Sequence, residues 1–239
     1  MNTFKKIINK KYYIFFSIYI FLELFIFLST IIFDFLDFPI VYYFAIILNF
    51  LFSLMIIEDN KKKEKFIVFG LFFTLIADIF LVLINDFYFL SVVIFTITQI
   101  MYFIYLRLNY KYSLSFKYEI VLRLLSIILL EVFFYWYLQD DYDALLAISI
   151  FYITNFFINV IDSFISIRKN YLFTLGLFLF IICDVFVGIN NMGEYIIESS
   201  FIKSINNSNI NFIWLFYFPS QVFITLSIKY RYHKKINNI

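Results

Sequence analysis

Residues 70–85 read GLFFTLIADIFLVLIN, and residues 176–190 read GLFLFIICDVFVGIN. Gly70, Leu71, Phe72, Ile76, Asp78, Phe80, Ile84 and Asn85 return as Gly176, Leu177, Phe178, Ile182, Asp184, Phe186, Ile189 and Asn190, most of them 106 positions on. Each Asp follows its Gly by eight residues, and two of the chain's four glycines occupy this one repeated position. Upstream, Asn49-Phe50 matches Asn155-Phe156 at the same offset, and Glu23 matches Glu131 at 108. Isolated carboxylates inside apolar runs are costly in a bilayer and usually functional, so a repeated one predicts a polar site within a membrane.

Composition agrees. Hydrophobic residues make up 64% of the chain and mean hydropathy is +0.90, beyond any soluble domain of 239 residues. The excess of Phe, Ile, Tyr, Asn and Lys over Gly and Pro reads as an AT-rich coding bias, so the 37 Phe carry little functional weight. Eight apolar stretches, near 12–33, 39–57, 66–84, 88–106, 120–138, 144–167, 171–189 and 211–228, each suffice for a span. The first follows a basic stretch but carries Glu23 and no small-residue cleavage site, so it is expected to remain as helix one.

Alternate loops differ in charge. Lys5, Lys6, Lys10, Lys11, Lys61, Lys62, Lys63, Lys65, Arg107, Lys111, Lys117, Arg123, Arg168, Lys169, Lys229, Arg231, Lys234 and Lys235 fall on one side. They are 18 of the 19 basic residues, Lys203 being the exception. Asp34, Asp37, Asp86, Asp140, Asp141, Asp143, Glu194 and Glu198 fall on the other. The positive-inside rule then puts both termini in the cytoplasm, with the cell membrane as the expected location.

The fold class expected is all-α and integral to the membrane. A single polytopic domain, 1–239, holds eight transmembrane helices as two parallel four-helix repeats, about 12–106 and 120–228. Four helices per half make the halves enter from the same side, related by a pseudo-twofold axis along the membrane normal. A net charge of +2 from juxtamembrane clusters implies no nucleic-acid partner; membrane lipids are the expected surroundings. The lone Cys183 excludes internal disulfides, the lone His233 reads as a solvated tail residue, and no metal site or cofactor is legible.

At a rise of about 1.5 Å per residue, Glu23, Glu131, Asn49, Asn155, Asp78, Asp184, Gln99 and Gln221 all fall roughly 15–20 Å from a helix end, near the bilayer midplane. Gln99 and Gln221 stand 122 apart, which the long 190–210 loop accounts for. Each helix thus brings one strongly polar side chain to a common depth. Asn, Gln and Glu in membrane helices often serve only packing. Asp78 and Asp184 are the stronger functional candidates, each with a Gly that permits close backbone approach. Tyr102 and Tyr217 lie one turn from Gln99 and Gln221 on the same helix faces, so these four are expected on the walls of one cavity with the two Asp. Asp162 is expected to reach the interface.

These residues resemble those of the YhhN-like lysoplasmalogenase family. The run from Gly70 through Asp78 and Leu81, followed by Phe87, Phe95 and Tyr102, is similar to that family's first signature. Gly176 to Asp184 resembles the second, and Tyr217, Gln221 and Ser227 the last. Two departures stand out: Gln99 replaces the family's usual His, and no Lys precedes Pro39. The resemblance implies eight helices and hydrolysis of the vinyl ether bond of a lysophospholipid, a lysoplasmalogen, to a fatty aldehyde and a glycerophospho-head group. Asp78 and Asp184 would be catalytic, with Gln99, Tyr102, Tyr217, Gln221, Asn49 and Asn155 binding substrate. A proton-coupled small-solute transporter and a non-catalytic lipid-binding protein remain alternatives, since parallel repeats with midplane carboxylates also describe carriers.

Overall fold

The computed structural model describes residues 2–31, 38–58, 62–109, 116–191 and 211–229, with side chains in the first helix described from Tyr13. Helix α1 is Asn2–Ile31, α2 Pro39–Ile56 and α3 Lys65–Asp78, which runs on as a π-helix over Ile79–Ile84. Then follow α4 Tyr88–Asn109, α5 Phe116–Leu138, α6 Ala144–Ile165, α7 Tyr171–Asn191 and α8 Phe212–Ser227. No strand occurs among the described residues. Seven helices are long and apolar enough to cross a membrane, the pattern of a multi-pass membrane protein, and α8 is a shorter apolar helix. The 192–210 connection, His233, Lys203, Asp34, Asp37, Glu194 and Glu198 lie outside the described residues.

Local chemistry sets the ends. Pro39 takes the first turn of α2, where its missing N–H costs nothing. The Asp143 carboxylate accepts from the Leu146 amide at 2.7 Å and caps α6. Asn85 closes the π segment in a left-handed conformation at φ 54°, which Asn tolerates better than most residues.

The interior mixes polar groups with an apolar cluster, and much of the surface is apolar as well. Thr74, Thr98, Gln99, Asn159, Ser163 and Ser220 are fully buried, while Phe21, Leu129, Trp136 and Ile165 are among the most exposed side chains. Such surfaces suit lipid, and small and polar residues join the helices beside the buried rings. Helix α5 is the extreme case: it buries only Glu119, Arg123 and Ile127, one stripe at i, i+4 and i+8, against α6.

Packing follows one pattern twice. Helix α1 packs on α2 and α5 on α6; α2 on α3 and α6 on α7; α3 on α4 and α7 on α8. Across the halves, α2 meets α8 and α6 meets α4. The two repeated glycines sit at the two most extensive contacts. A Cβ on Gly70 would overlap the ring of Tyr102 on α4, and one on Gly176 would lie 2.6 Å from Cγ1 of Ile224 on α8. Tyr102 and Ile224 stand 122 apart, the offset of Gln99 and Gln221. The missing Cβ at each Gly is what lets those helices close.

Candidate functional site

Asp78 is the last α-helical residue of α3, buried just before the backbone widens into the π-helix. π-Helical turns are rare and frequently occur at functional sites. The Tyr217 hydroxyl, from α8, donates to Asp78 Oδ2. Asp184, on α7, is half-buried and accepts from the Tyr152 hydroxyl of α6 at 2.6 Å. Both phenols border one aromatic cluster: Tyr217 lies 5.5 Å from Phe180, and Tyr152 lies 6.0 Å from Phe95 and 5.9 Å from Phe156 between ring centroids. Four helices therefore deliver two carboxyls and two phenols to one place, and Phe180 joins them, ring to ring with Tyr217, Phe95 and Phe156 at 5.0–6.0 Å between centroids.

Gln99 is fully buried, and its Nε2 closes no hydrogen bond. Its other side is held: Asn159 Nδ2 donates to the Gln99 main-chain oxygen at 2.9 Å and to Oε1 at 3.2 Å. Gln221 is equally buried; its Nε2 donates to Ser220 Oγ at 3.4 Å and its Oε1 has no partner. Tyr102 lies beside Thr74 with its ring edge-on to Phe173, and its hydroxyl makes no hydrogen bond.

The two Asn candidates part company. Asn49 is buried in a separate cluster: it accepts from Tyr19 at 2.7 Å and from Thr225 at 3.1 Å, and donates to Glu23 at 2.8 Å. Asn155 is half-buried and donates only to Phe151 O of its own helix. Asn159, one turn further along α6, takes the interhelical role in its place. Glu131 is likewise unlike Glu23: it is half-buried on α5, two turns before the helix ends, and accepts from Tyr142 beyond that end. That bond pushes the Tyr142 phenol up to about 12.

Sequence reading passed over Tyr152, Tyr19 and Asn159, and grouped Arg123 with the loop cations. In the structure Arg123 is buried within α5. It donates to Asn159 Oδ1 at 3.0 Å and to Asp162 Oδ2 at 2.6 Å, and its guanidinium lies 4.2 Å over the Phe103 ring. Glu119 bridges Arg123 at 3.4 Å and Arg107 at 2.7 Å. Asp162, expected to reach the interface, is instead turned inward by this pairing. The only sequence signal was the i, i+4 spacing of Glu119 and Arg123. Among the described residues, no group of three or more His, Cys, Asp or Glu side chains is arranged to hold a metal ion.

No curated protein and no solved structure matches this chain. The YhhN family model matches residues 14–228, nearly all of the helical bundle including both Asp-bearing helices. The chain belongs to the YhhN family.

Proposed function

We propose that this protein is an integral membrane hydrolase of lysoplasmalogenase type, cleaving the vinyl ether bond of a lysophospholipid with Asp78 and Asp184. Membership of the YhhN family suggests that activity at the family level. The observation that carries the reading for this chain is that each carboxyl is held by a phenol from another helix, and both phenols border one Phe cluster.

Vinyl ether hydrolysis begins with a proton delivered to the alkene carbon remote from oxygen. The C=C electron pair forms the new C–H bond, and the adjacent carbon becomes an oxocarbenium ion. Water then adds to that carbon, losing a proton, and the hemiacetal collapses to a fatty aldehyde and the glycerol hydroxyl of the head group. The sequence needs one carboxylic acid that donates and one carboxylate that stabilises the cation and takes the proton of water. Two carboxyls near enough to feel each other do not readily both ionise, which favours that division. The Phe-rich surroundings of Phe180 suit a single hydrocarbon chain.

The rest of the architecture is proposed on the same footing. Helix α8 completes eight spans, and the twice-repeated helix pairing together with the Gly70–Tyr102 and Gly176–Ile224 contacts supports two parallel repeats. Both termini are cytoplasmic in this reading, and the cell membrane is the location.

The test is to incubate the purified protein with a mixed lysophospholipid extract and identify products by mass spectrometry. Fatty aldehyde with a matching glycerophospho-head group supports hydrolysis. Fatty acid release, or no product alongside solute flux in proteoliposomes, rejects it in favour of another lipase chemistry or a carrier.

A further inference from the structure

Glu23 is a buried carboxyl that the hydrolase site does not use, and the helices around it bring no counter-charge. It is 4% exposed on α1, which packs on α2 and α8. Neither Pro39–Ile56 nor Phe212–Ser227 contains a charged residue. On α1 itself the nearest cation is Lys11, about 18 Å along the helix from Glu23. The phenols of this region are engaged elsewhere. Tyr19 donates to Asn49, Tyr43 to Leu75 O and Tyr217 to Asp78, while Tyr42 stacks on Trp214.

The hydrogen bonds around Glu23 follow atom by atom. Ala45 O can only accept, so the atom of Asn49 lying 2.9 Å from it is Nδ2. The second proton of Nδ2 goes to Glu23 Oε1 at 2.8 Å. Asn49 Oδ1 takes the hydroxyl protons of Tyr19 at 2.7 Å and Thr225 at 3.1 Å. Asn49 is thereby saturated, and Glu23 receives a single neutral donor on one oxygen. Its other oxygen, Oε2, is buried and closes no hydrogen bond.

A second acceptor stands beside the same turn of α2. Tyr42 meets Trp214 at 4.1 Å and Phe218 at 5.9 Å between ring centroids, and Asn49 meets Thr225, so α2 and α8 run parallel. Gln221 lies one turn before Thr225 on the same face of α8, level with the turn that carries Ala45. The Ser220 hydroxyl gives its proton to Tyr217 O at 2.6 Å, so Gln221 offers it Nε2, at 3.4 Å. Gln221 Oε1 is left buried without a partner. Two acceptor oxygens from α1 and α8 thus lie along one turn of α2, and among the described residues neither has a donor.

We propose that Glu23 and Gln221 form a binding site for one monovalent cation, a proton or a sodium ion, held at Glu23 Oε2. The site is separate from the two Asp and does not rest on the hydrolase reading. A carboxylate withdrawn from water is costly without a counter-charge, and one neutral amide does not supply it. One positive charge balances the one carboxylate. A divalent ion would leave excess charge in an apolar interior and is usually held by more oxygen ligands of greater total charge. With a proton bound, the Glu23 hydroxyl is a donor that Gln221 Oε1 can accept. With sodium bound, Tyr19 and Thr225 can add lone pairs, because both give their protons to Asn49.

Infrared difference spectra of the full-length protein in detergent, between wild type and Glu23→Gln, test the site without needing turnover. A bound proton predicts loss of a protonated-carboxyl C=O band near neutral pH, the same in choline chloride and sodium chloride. A bound sodium ion predicts loss of a carboxylate band that shifts when sodium replaces choline. Gln221→Leu, which leaves the carboxyl in place, should raise the frequency of the protonated band by removing its acceptor. In the sodium case it should instead weaken the apparent sodium affinity about tenfold, the cost of one lost polar contact. A hydrophobic carbodiimide, which reacts with protonated carboxyls, should label Glu23, and suppression of that labelling by sodium at fixed pH identifies the metal ion. The proposal is overturned if Glu23 contributes an ionised band at neutral pH that sodium does not shift. It is equally overturned if the spectrum of Gln221→Leu matches wild type in both salts.

Discussion

A Cβ added to Gly176 would lie 2.9 Å from the main-chain nitrogen of Ile224 and 3.0 Å from the carbonyl oxygen of Ser220. Both are backbone atoms of α8, so no side-chain rotation relieves the clash. At Gly70 the obstacle is the Tyr102 ring, buried on all sides and unable to swing away. Gly188 has nothing within 4 Å of its would-be Cβ.

Gly176→Ala and Gly70→Ala should therefore each lower the thermal denaturation midpoint in detergent, by the equivalent of about 1–3 kcal/mol for overpacking. Gly188→Ala should be neutral or slightly stabilising. Replacing Tyr102 by Leu should recover part of the Gly70→Ala loss and none of the Gly176→Ala loss. Equal midpoints for all three alanine variants would show that close approach of α3 to α4 and of α7 to α8 does not hold the bundle together.

The Arg123–Asp162 pair gives a second stability prediction. Both groups are largely withdrawn from solvent, so removing one partner strands the other; breaking a buried pair costs about 3–5 kcal/mol. Arg123→Met alone should destabilise by that order. The double substitution Arg123→Met with Asp162→Leu should return much of it, because an apolar pair of similar size replaces both charges. A double variant no more stable than the single one would mean that Arg123 acts mainly through Glu119 or the Phe103 ring.

Much of this was legible in the chain, for identifiable reasons. Helix spans follow from runs of apolar residues, and α2, α4 and α7 start where those runs start. That Asp78 and Asp184 each accept a phenol from another helix was hinted at because the carboxyl and the Gly that permits close packing recur together. Asn155 misled because strict register at 106 ignores the turn by which α6 differs from α2; Asn159 is the residue that bonds across helices. Arg123 misled because a cation at the edge of an apolar run has the same composition as a loop cation. Only the fold shows Asp162 and Asn159 turned toward it. Tyr152 is one of 20 Tyr, and nothing in its neighbours marks the one whose hydroxyl meets a carboxylate. No local pattern announces the π-helix after Asp78.

The orientation can be tested with single cysteines at two exposed positions, Lys62 and Asp141, after replacing the buried Cys183. The asymmetry of basic residues predicts position 62 inside and position 141 outside. An impermeant maleimide added to intact cells should label position 141 and spare position 62 until the membrane is permeabilised. Labelling of position 62 from outside would reverse the topology, and with it the side from which head groups leave.

The catalytic prediction separates the carboxyls from their phenols. Asp78→Asn and Asp184→Asn preserve shape but cannot exchange a proton, so each should reduce aldehyde release by about 10²–10⁴-fold, the usual cost of losing a general acid or base. Tyr152→Phe and Tyr217→Phe remove one hydrogen bond to a carboxyl and leave the carboxyl itself. The loss of such a bond is worth about 1–3 kcal/mol, so turnover should fall by roughly 5- to 150-fold. Gln99→His, which restores the residue usual in the resembled family, should retain or raise activity. Product yield per unit of folded protein, with folding checked by size-exclusion profile and melting point, is the measurement. If both Asn variants turn over like wild type, the carboxyls serve structure alone and the hydrolytic mechanism proposed for this site is wrong.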